Sequence, residues 1–143
     1  MVAIPRIATR AALFILPLSA ALPAQAAQSI AGRWATVEGK AIVQIAPCGK
    51  TLCGRIEKIL KPTPGRPQTD IKNPDPTQRA KPLTGLALLT GFEDAGDLWK
   101  GSIYDPESGK TYNSKVSRNG DGTLKVQGCV MFFCKTQTWT PVR

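Results

Sequence analysis

Along residues 123–129, apolar and polar side chains alternate. Leu124, Val126 and Gly128 fall on one side, and Thr123, Lys125 and Gln127 on the other. Successive side chains of an extended chain point to opposite faces, so a period of two predicts a strand with one buried face. Residues 110–117 repeat the pattern, with Tyr112, Ser114 and Val116 set against Thr111, Asn113 and Lys115. Within residues 40–46, Ala41, Val43 and Ile45 share a face. Further extended runs are predicted at 31–37, 53–60, 85–91, 98–104 and 135–140. No segment after residue 26 shows the 3.6-residue period of an amphipathic helix.

Turn-forming residues punctuate these runs: "EGK" at 38–40, "DAGD" at 94–97, "DPESGK" at 105–110 and "NGDG" at 119–122. Such residues favour tight hairpins. Short strands joined mostly by hairpins make an up-and-down antiparallel meander, which loses its exposed edges by closing on itself. The predicted fold class is therefore all-β: one meander of about eight strands closed into a small barrel, with a β-sandwich as the alternative. No internal repeat is present.

One connection departs from the hairpin rule. Residues 61–83 hold half of the chain's twelve prolines, and Lys61, Arg66, Lys72, Arg79 and Lys81 face only Asp70 and Asp75. Proline removes a backbone donor and fixes φ, so this stretch is neither helix nor central strand. Long irregular loops in small domains are usually functional or disordered, and both readings stay open for this one.

The first 26 residues read differently. Arg6 and Arg10 form a basic start, residues 11–22 are largely apolar, and Ala24-Gln25-Ala26 is a small-x-small cleavage pattern. That order predicts a secretory signal peptide over 1–26, cleaved after Ala26. The apolar run is shorter than the roughly 20 residues a membrane span needs, and Pro17 interrupts it. Residues 27–143 are then a single domain, exported to the periplasm or the outside, with no transmembrane segment. Nineteen Lys and Arg face ten Asp and Glu; without Arg6 and Arg10 the net charge is +7. For an exported chain such a charge keeps the protein soluble or meets anionic envelope surfaces, and nucleic acid is not an expected partner.

The candidate chemistry is sparse. Cys48 and Cys53 have four residues between them, and so do Cys129 and Cys134. An oxidising compartment favours disulfides, and the C-x-x-C spacing of a redox site is missing. Structural zinc would take four such ligands, but export disfavours it and the chain contains no histidine. Lack of histidine also removes Ser–His and Cys–His pairs and imidazole metal sites. The acidic neighbours Asp70 with Asp75, Glu93 with Asp94, and Asp105 with Glu107 read as loop and turn residues before they read as a glycosidase pair. No catalytic residue, metal site or cofactor is assigned.

Six blocks together carry a family resemblance: "GRWATVEGKAIVQIAPCGKTLCGRI", "DIKNPDP", "KPLTGL", "WKGSIYDPESGKTY", "LKVQGCV" and "TQTW". In this order they resemble the bacterial family called domain of unknown function 2147, over nearly all of residues 27–143. Its members are typically small exported proteins, so the resemblance implies an address and a fold, and no chemistry. Gly32-Arg33-Trp34 also resembles the Gly-x-Trp opening of lipocalin and related calycin barrels. That likeness implies that Trp34 closes one barrel end and that a C-terminal arginine stacks on it. Members of the bacterial family carry that arginine two residues after the final tryptophan. Here Pro141 stands there, leaving Arg143 as the candidate.

In a meander, successive loops alternate between the barrel ends. The two cysteine loops then lie at opposite ends, too far apart for bridges between them. Each pair is expected to close on itself, Cys48–Cys53 and Cys129–Cys134. If Trp34 marks the closed end, the open end holds "EGK", the proline loop, "DPESGK" and the apolar run Val130, Met131, Phe132, Phe133. That run either folds inward as a plug or contacts a ligand, lipid or partner. The functional expectation is a non-enzymatic binding protein for a small apolar or amphipathic molecule. Its contacts would come from those four residues and from Lys61, Arg66, Lys72, Arg79 and Lys81. The alternative is a filled barrel whose basic and apolar loops touch an anionic envelope surface or a protein. Interior volume separates the two.

Overall fold

The structure is a computed structural model that describes residues 3–4 and 10–143. Arg6, part of the expected signal, lies outside the described residues. Eight antiparallel strands follow one another in chain order and close into a barrel: β1 (Gly32–Ala35), β2 (Ala41–Cys48), β3 (Thr51–Ile59), β4 (Ala87–Asp94), β5 (Trp99–Asp105), β6 (Lys110–Arg118), β7 (Leu124–Val130) and β8 (Phe133–Pro141). Closure comes from β1 pairing with β8, where Trp34 faces Pro141 and Ala35 faces Thr140. The meander and the barrel agree with the alternation pattern; a sandwich is not formed.

Several boundaries shift, each for a local reason. β1 ends at Ala35 because residues Val37–Gly39 form a 3-10 turn, with Glu38 and Gly39 at φ 60° and 63°. The Cys48 and Cys129 hairpins are tighter than the sequence suggests. Cys48 pairs with Thr51 around Gly49-Lys50, and Val130 pairs with Phe133 around Met131-Phe132. Both cysteine pairs sit at disulfide distance within their own hairpins, Cα–Cα 5.5 Å for Cys48–Cys53 and 4.0 Å for Cys129–Cys134. They lie at opposite ends of the barrel.

The interior is filled from one end. Trp34, Ile45, Phe92, Val116, Leu124 and Trp139 are buried, in one cluster with Ile30 from the segment ahead of β1. Close packing here depends on Gly101: a β-carbon on it would lie 2.6 Å from Phe92 Cδ2, so Phe92 occupies that space. Ile30 acts as a stopper. Its carbonyl accepts from Trp34 Nε1 at 2.9 Å, and Gln28 carbonyl accepts from Trp99 Nε1 at 2.9 Å.

The stacking partner of Trp34 is Arg118, not Arg143. The Arg118 guanidinium stands 5.1 Å from the Trp34 ring centroid. Arg118 ends β6 at the closed end, whereas β8 stops at Pro141 beside Trp34 and Val142 N–H bonds Arg33 carbonyl, carrying Arg143 onward into solvent.

Residues 61–83 are ordered. Thr69 bridges Pro82, Leu83 N–H donates to Gln68 carbonyl at 3.0 Å, and Asp70 N–H donates to Lys81 carbonyl at 2.9 Å. A short 3-10 turn, Pro76–Gln78, is capped by Asp75, whose carboxylate accepts from Thr77 N–H. The Thr77 hydroxyl and N–H hold the Asp75 carboxyl below its ordinary pKa. At the centre, Asp70 is fully buried. Its oxygens accept from Tyr104 Oη on β5 at 2.6 Å and from Asn73 Nδ2 at 2.7 Å. A β-carbon on Gly109 would lie 2.0 Å from Lys72 carbonyl oxygen, so only glycine lets the β5–β6 turn touch the loop.

Candidate ligand-binding site at the open end

The other end of the barrel is hollow, and the strand registers explain why. At the closed end of the β7–β8 pair Leu124 faces Trp139; four residues on, Gly128 faces Lys135. A cavity of about 690 Å³ opens there, with Ala41 and Gly128 as its smallest wall positions. Its floor and walls include Ala41, Ile56, Leu88, Ile103, Val126 and Trp139. Tyr112 and Gln137 add polar groups within, and Gln137 Oε1 accepts from Trp139 Nε1 at 3.1 Å. The position of a β-carbon on Gly128 would meet only Ile103 Cγ2 at 3.5 Å and Tyr112 Cβ at 3.8 Å, ordinary contacts. Gly128 therefore contributes open space without backbone strain.

All four odd-numbered connections border this cavity: Thr36 to Lys40, the proline loop, the Asp105–Glu107 turn and the β7–β8 hairpin. Lys40, Lys61, Arg66 and Lys135 line it against Asp105 and Glu107, so the lining is net positive. Part of that charge is committed. Lys61 Nζ donates to Glu38 carbonyl at 2.7 Å, and Lys40 pairs with the Glu38 carboxylate at 3.5 Å. Asp105 accepts from Glu107 N–H and Ser108 Oγ in its own turn.

The basic residues singled out in the proline loop separate into two groups. Lys61 and Arg66 reach the cavity; Lys72, Arg79 and Lys81 do not. Lys72 backs against Gly109, and Arg79 Nε donates to Asn73 carbonyl at 2.7 Å. The apolar run is exposed and does not plug the barrel. Val130 and Phe133 line the cavity, and Met131 and Phe132 project beyond it, 87% and 94% exposed. Lys40, Lys135, Tyr112, Gln137 and Gly128 belong to the site but were not candidates from sequence. Tyr112 and Gly128 were legible as inward-facing; that their end of the barrel is the empty one was not.

Of the carboxylates, Asp70 is held by Tyr104 and Asn73, and Asp75 caps a turn. Burial first, and then the Asp70 carboxylate, push the Tyr104 phenol above its ordinary pKa, so it stays a neutral donor. Among the described residues, no three of Cys, Asp and Glu stand close enough to hold a metal ion, and no helix is long and apolar enough to cross a membrane.

An eight-stranded up-and-down barrel, stoppered at one end beside a Gly-x-Trp tryptophan and hollow at the other, is a lipocalin-like barrel. Residues 32–141 match the family described as uncharacterized protein conserved in bacteria (DUF2147), and the chain belongs to that family. Among solved structures it is similar to protein HP1028 from the human pathogen Helicobacter pylori, described as belonging to the lipocalin family. The TM-score is 0.69 at 22% identity, covering 80% of this chain and 84% of that one. At that identity the likeness is one of fold. No curated protein matches the chain.

Proposed function

We propose that the protein is an exported, non-enzymatic binding protein that holds a small apolar or amphipathic molecule in the open half of its barrel. The observation that carries this reading is the cavity of about 690 Å³ with its apolar floor, within the roughly 300–1,000 Å³ range of small-molecule sites. The paired cysteines and the pattern of residues 1–26 support export. A net positive lining suits an occupant with an anionic end towards the mouth. The test is titration with 1-anilinonaphthalene-8-sulfonate, an anionic apolar probe, using wild type and Gly128→Leu. Leucine at 128 points into the cavity and should lower probe affinity at least ~10-fold with an unchanged melting curve. Equal binding by both proteins, or binding by neither, overturns the reading.

The exposed apolar hairpin favours a second role for the same end. Met131 sits at φ 52°, a conformation that strains an L-residue by about 1–2 kcal/mol. Val130 and Phe133 run from this tip into the cavity, and cations border it. We read the tip as a contact with an anionic lipid surface that would seat the mouth on it. Co-sedimentation with phosphatidylglycerol vesicles tests this. Met131→Asn with Phe132→Ser suits the turn better and should weaken binding roughly 100-fold at any salt. Lys61→Glu with Arg66→Glu should remove only the salt-sensitive part. Undiminished sedimentation of the Met131 and Phe132 double variant would sink this role and leave the cavity reading standing.

A further inference from the structure

We infer that cleavage after Ala26, on which the export reading already rests, has a structural consequence: the ammonium group freed on Ala27 is the built-in partner of Asp94 at the closed end of the barrel. Residues 10–26 form no regular structure and are exposed throughout, including Leu13, Phe14, Ile15 and Leu16. The contacts begin abruptly at Ala27, the first partly buried residue. Its nitrogen lies 3.1 Å from Asp94 Oδ1 and 3.1 Å from Asp94 Oδ2. One residue later Gln28 carbonyl holds Trp99, and Ile30 fills the barrel bottom and holds Trp34.

The geometry at Asp94 suits an amine better than an amide. An amide nitrogen has a single proton to divide between two equidistant carboxylate oxygens; an ammonium has three protons and a positive charge. Asp94 is oriented independently of Ala27, because its Oδ1 also accepts from Gly96 N–H at 2.8 Å in the β4–β5 turn. The covalent step is hydrolysis. Water adds across the bond, the C–N link breaks, Ala26 leaves with the new carboxylate, and the Ala27 nitrogen takes up protons to become the ammonium. The enzyme required is an endopeptidase that reads small side chains one and three residues ahead of the cut, here Ala26 and Ala24. Removal of the apolar leader thus completes the closed end of the barrel, separately from whatever the open end binds.

Intact mass of the protein recovered from its own cell envelope should place the N-terminus at Ala27. Four mature chains then form a cycle: the chain starting at Ala27, the same chain with one glycine added ahead of Ala27, Asp94→Asn, and both changes together. Each single change should lower the melting midpoint by about 1–4 °C and speed hydrogen exchange at Trp99 Nε1. The combined change should do no more than either alone. A native N-terminus elsewhere, additive losses, or no loss from either change would overturn the inference.

Discussion

Replacing Tyr104 by phenylalanine tests what holds the proline loop at the mouth. The substitution keeps the ring and deletes the hydroxyl that donates to Asp70 Oδ1 at 2.6 Å. Asp70 is fully buried, and of its two side-chain donors only Asn73 Nδ2 would still reach the carboxylate. Hydrogen bonds to charged groups contribute about 1.5–3 kcal/mol each, and an orphaned buried acceptor adds desolvation. For a domain of this size that lowers the melting midpoint by roughly 5–10 °C. Trypsin gives a local readout. Lys61, Arg66 and Lys81 each precede proline and resist cleavage, so cuts in the loop fall after Lys72 and Arg79. Wild type should resist there under native conditions, and Tyr104→Phe should be cut before it unfolds globally. Alkaline titration adds a sign. The folded state holds the phenol above its ordinary value of 10.0, so the unfolded chain loses that proton first. The contribution is complete below about pH 10 and fades as pH rises further, and Tyr104→Phe should lack this decline. An unchanged midpoint together with a trypsin-resistant loop would mean that backbone pairing, and not the Tyr104–Asp70 bond, holds the loop.

Gly101→Ala should destabilise by about 1–3 kcal/mol in urea unfolding, because its β-carbon would press on Phe92 Cδ2 at 2.6 Å and Thr90 carbonyl oxygen at 2.7 Å. Arg118→Met should lose about 0.5–1 kcal/mol of stacking on Trp34, while Arg143→Ala should leave the urea midpoint unchanged. Non-reducing peptide maps should contain Cys48 linked to Cys53 and Cys129 linked to Cys134. Loops this short predict roughly 2 kcal/mol of stabilisation from each bridge.

The meander was legible because its signals are local. Alternation at 110–117 and 123–129 identifies strands without reference to their partners, and glycine-rich turns between them order the strands in space. Cysteine pairing followed from the same ordering. What stayed hidden depends on contacts distant in sequence. Asp70 reads as one acid in a basic, proline-rich loop, and its burial becomes visible only once barrel closure brings Tyr104 beneath it. The order of that loop rests partly on Gly109 admitting the Lys72 carbonyl, a contact to which loop composition gives no clue. Arg118 displaced Arg143 for a similar reason: the end of β6 lies over Trp34 in the closed barrel, whereas the calycin resemblance pointed to the last strand.

The cavity exposes the sharper limit of pattern reading. Leu124, Val126 and Gly128 occupy equivalent inward positions of one strand, and a period of two cannot say which of them faces empty space. Depth along the barrel decides it. Leu124 sits across from Trp139 at the stoppered end, and Gly128 sits across from Lys135 where the walls are no longer filled. A barrel of eight strands is just wide enough for side chains to fill it or for one small ligand, so an inward position without a side chain, such as Gly128, helps keep one end open. It follows that the size of individual inward residues near the mouth tunes what this barrel can hold: a large side chain at Gly128 would take up part of the roughly 690 Å³ cavity beside Ile103 and Tyr112 without touching the meander that builds it.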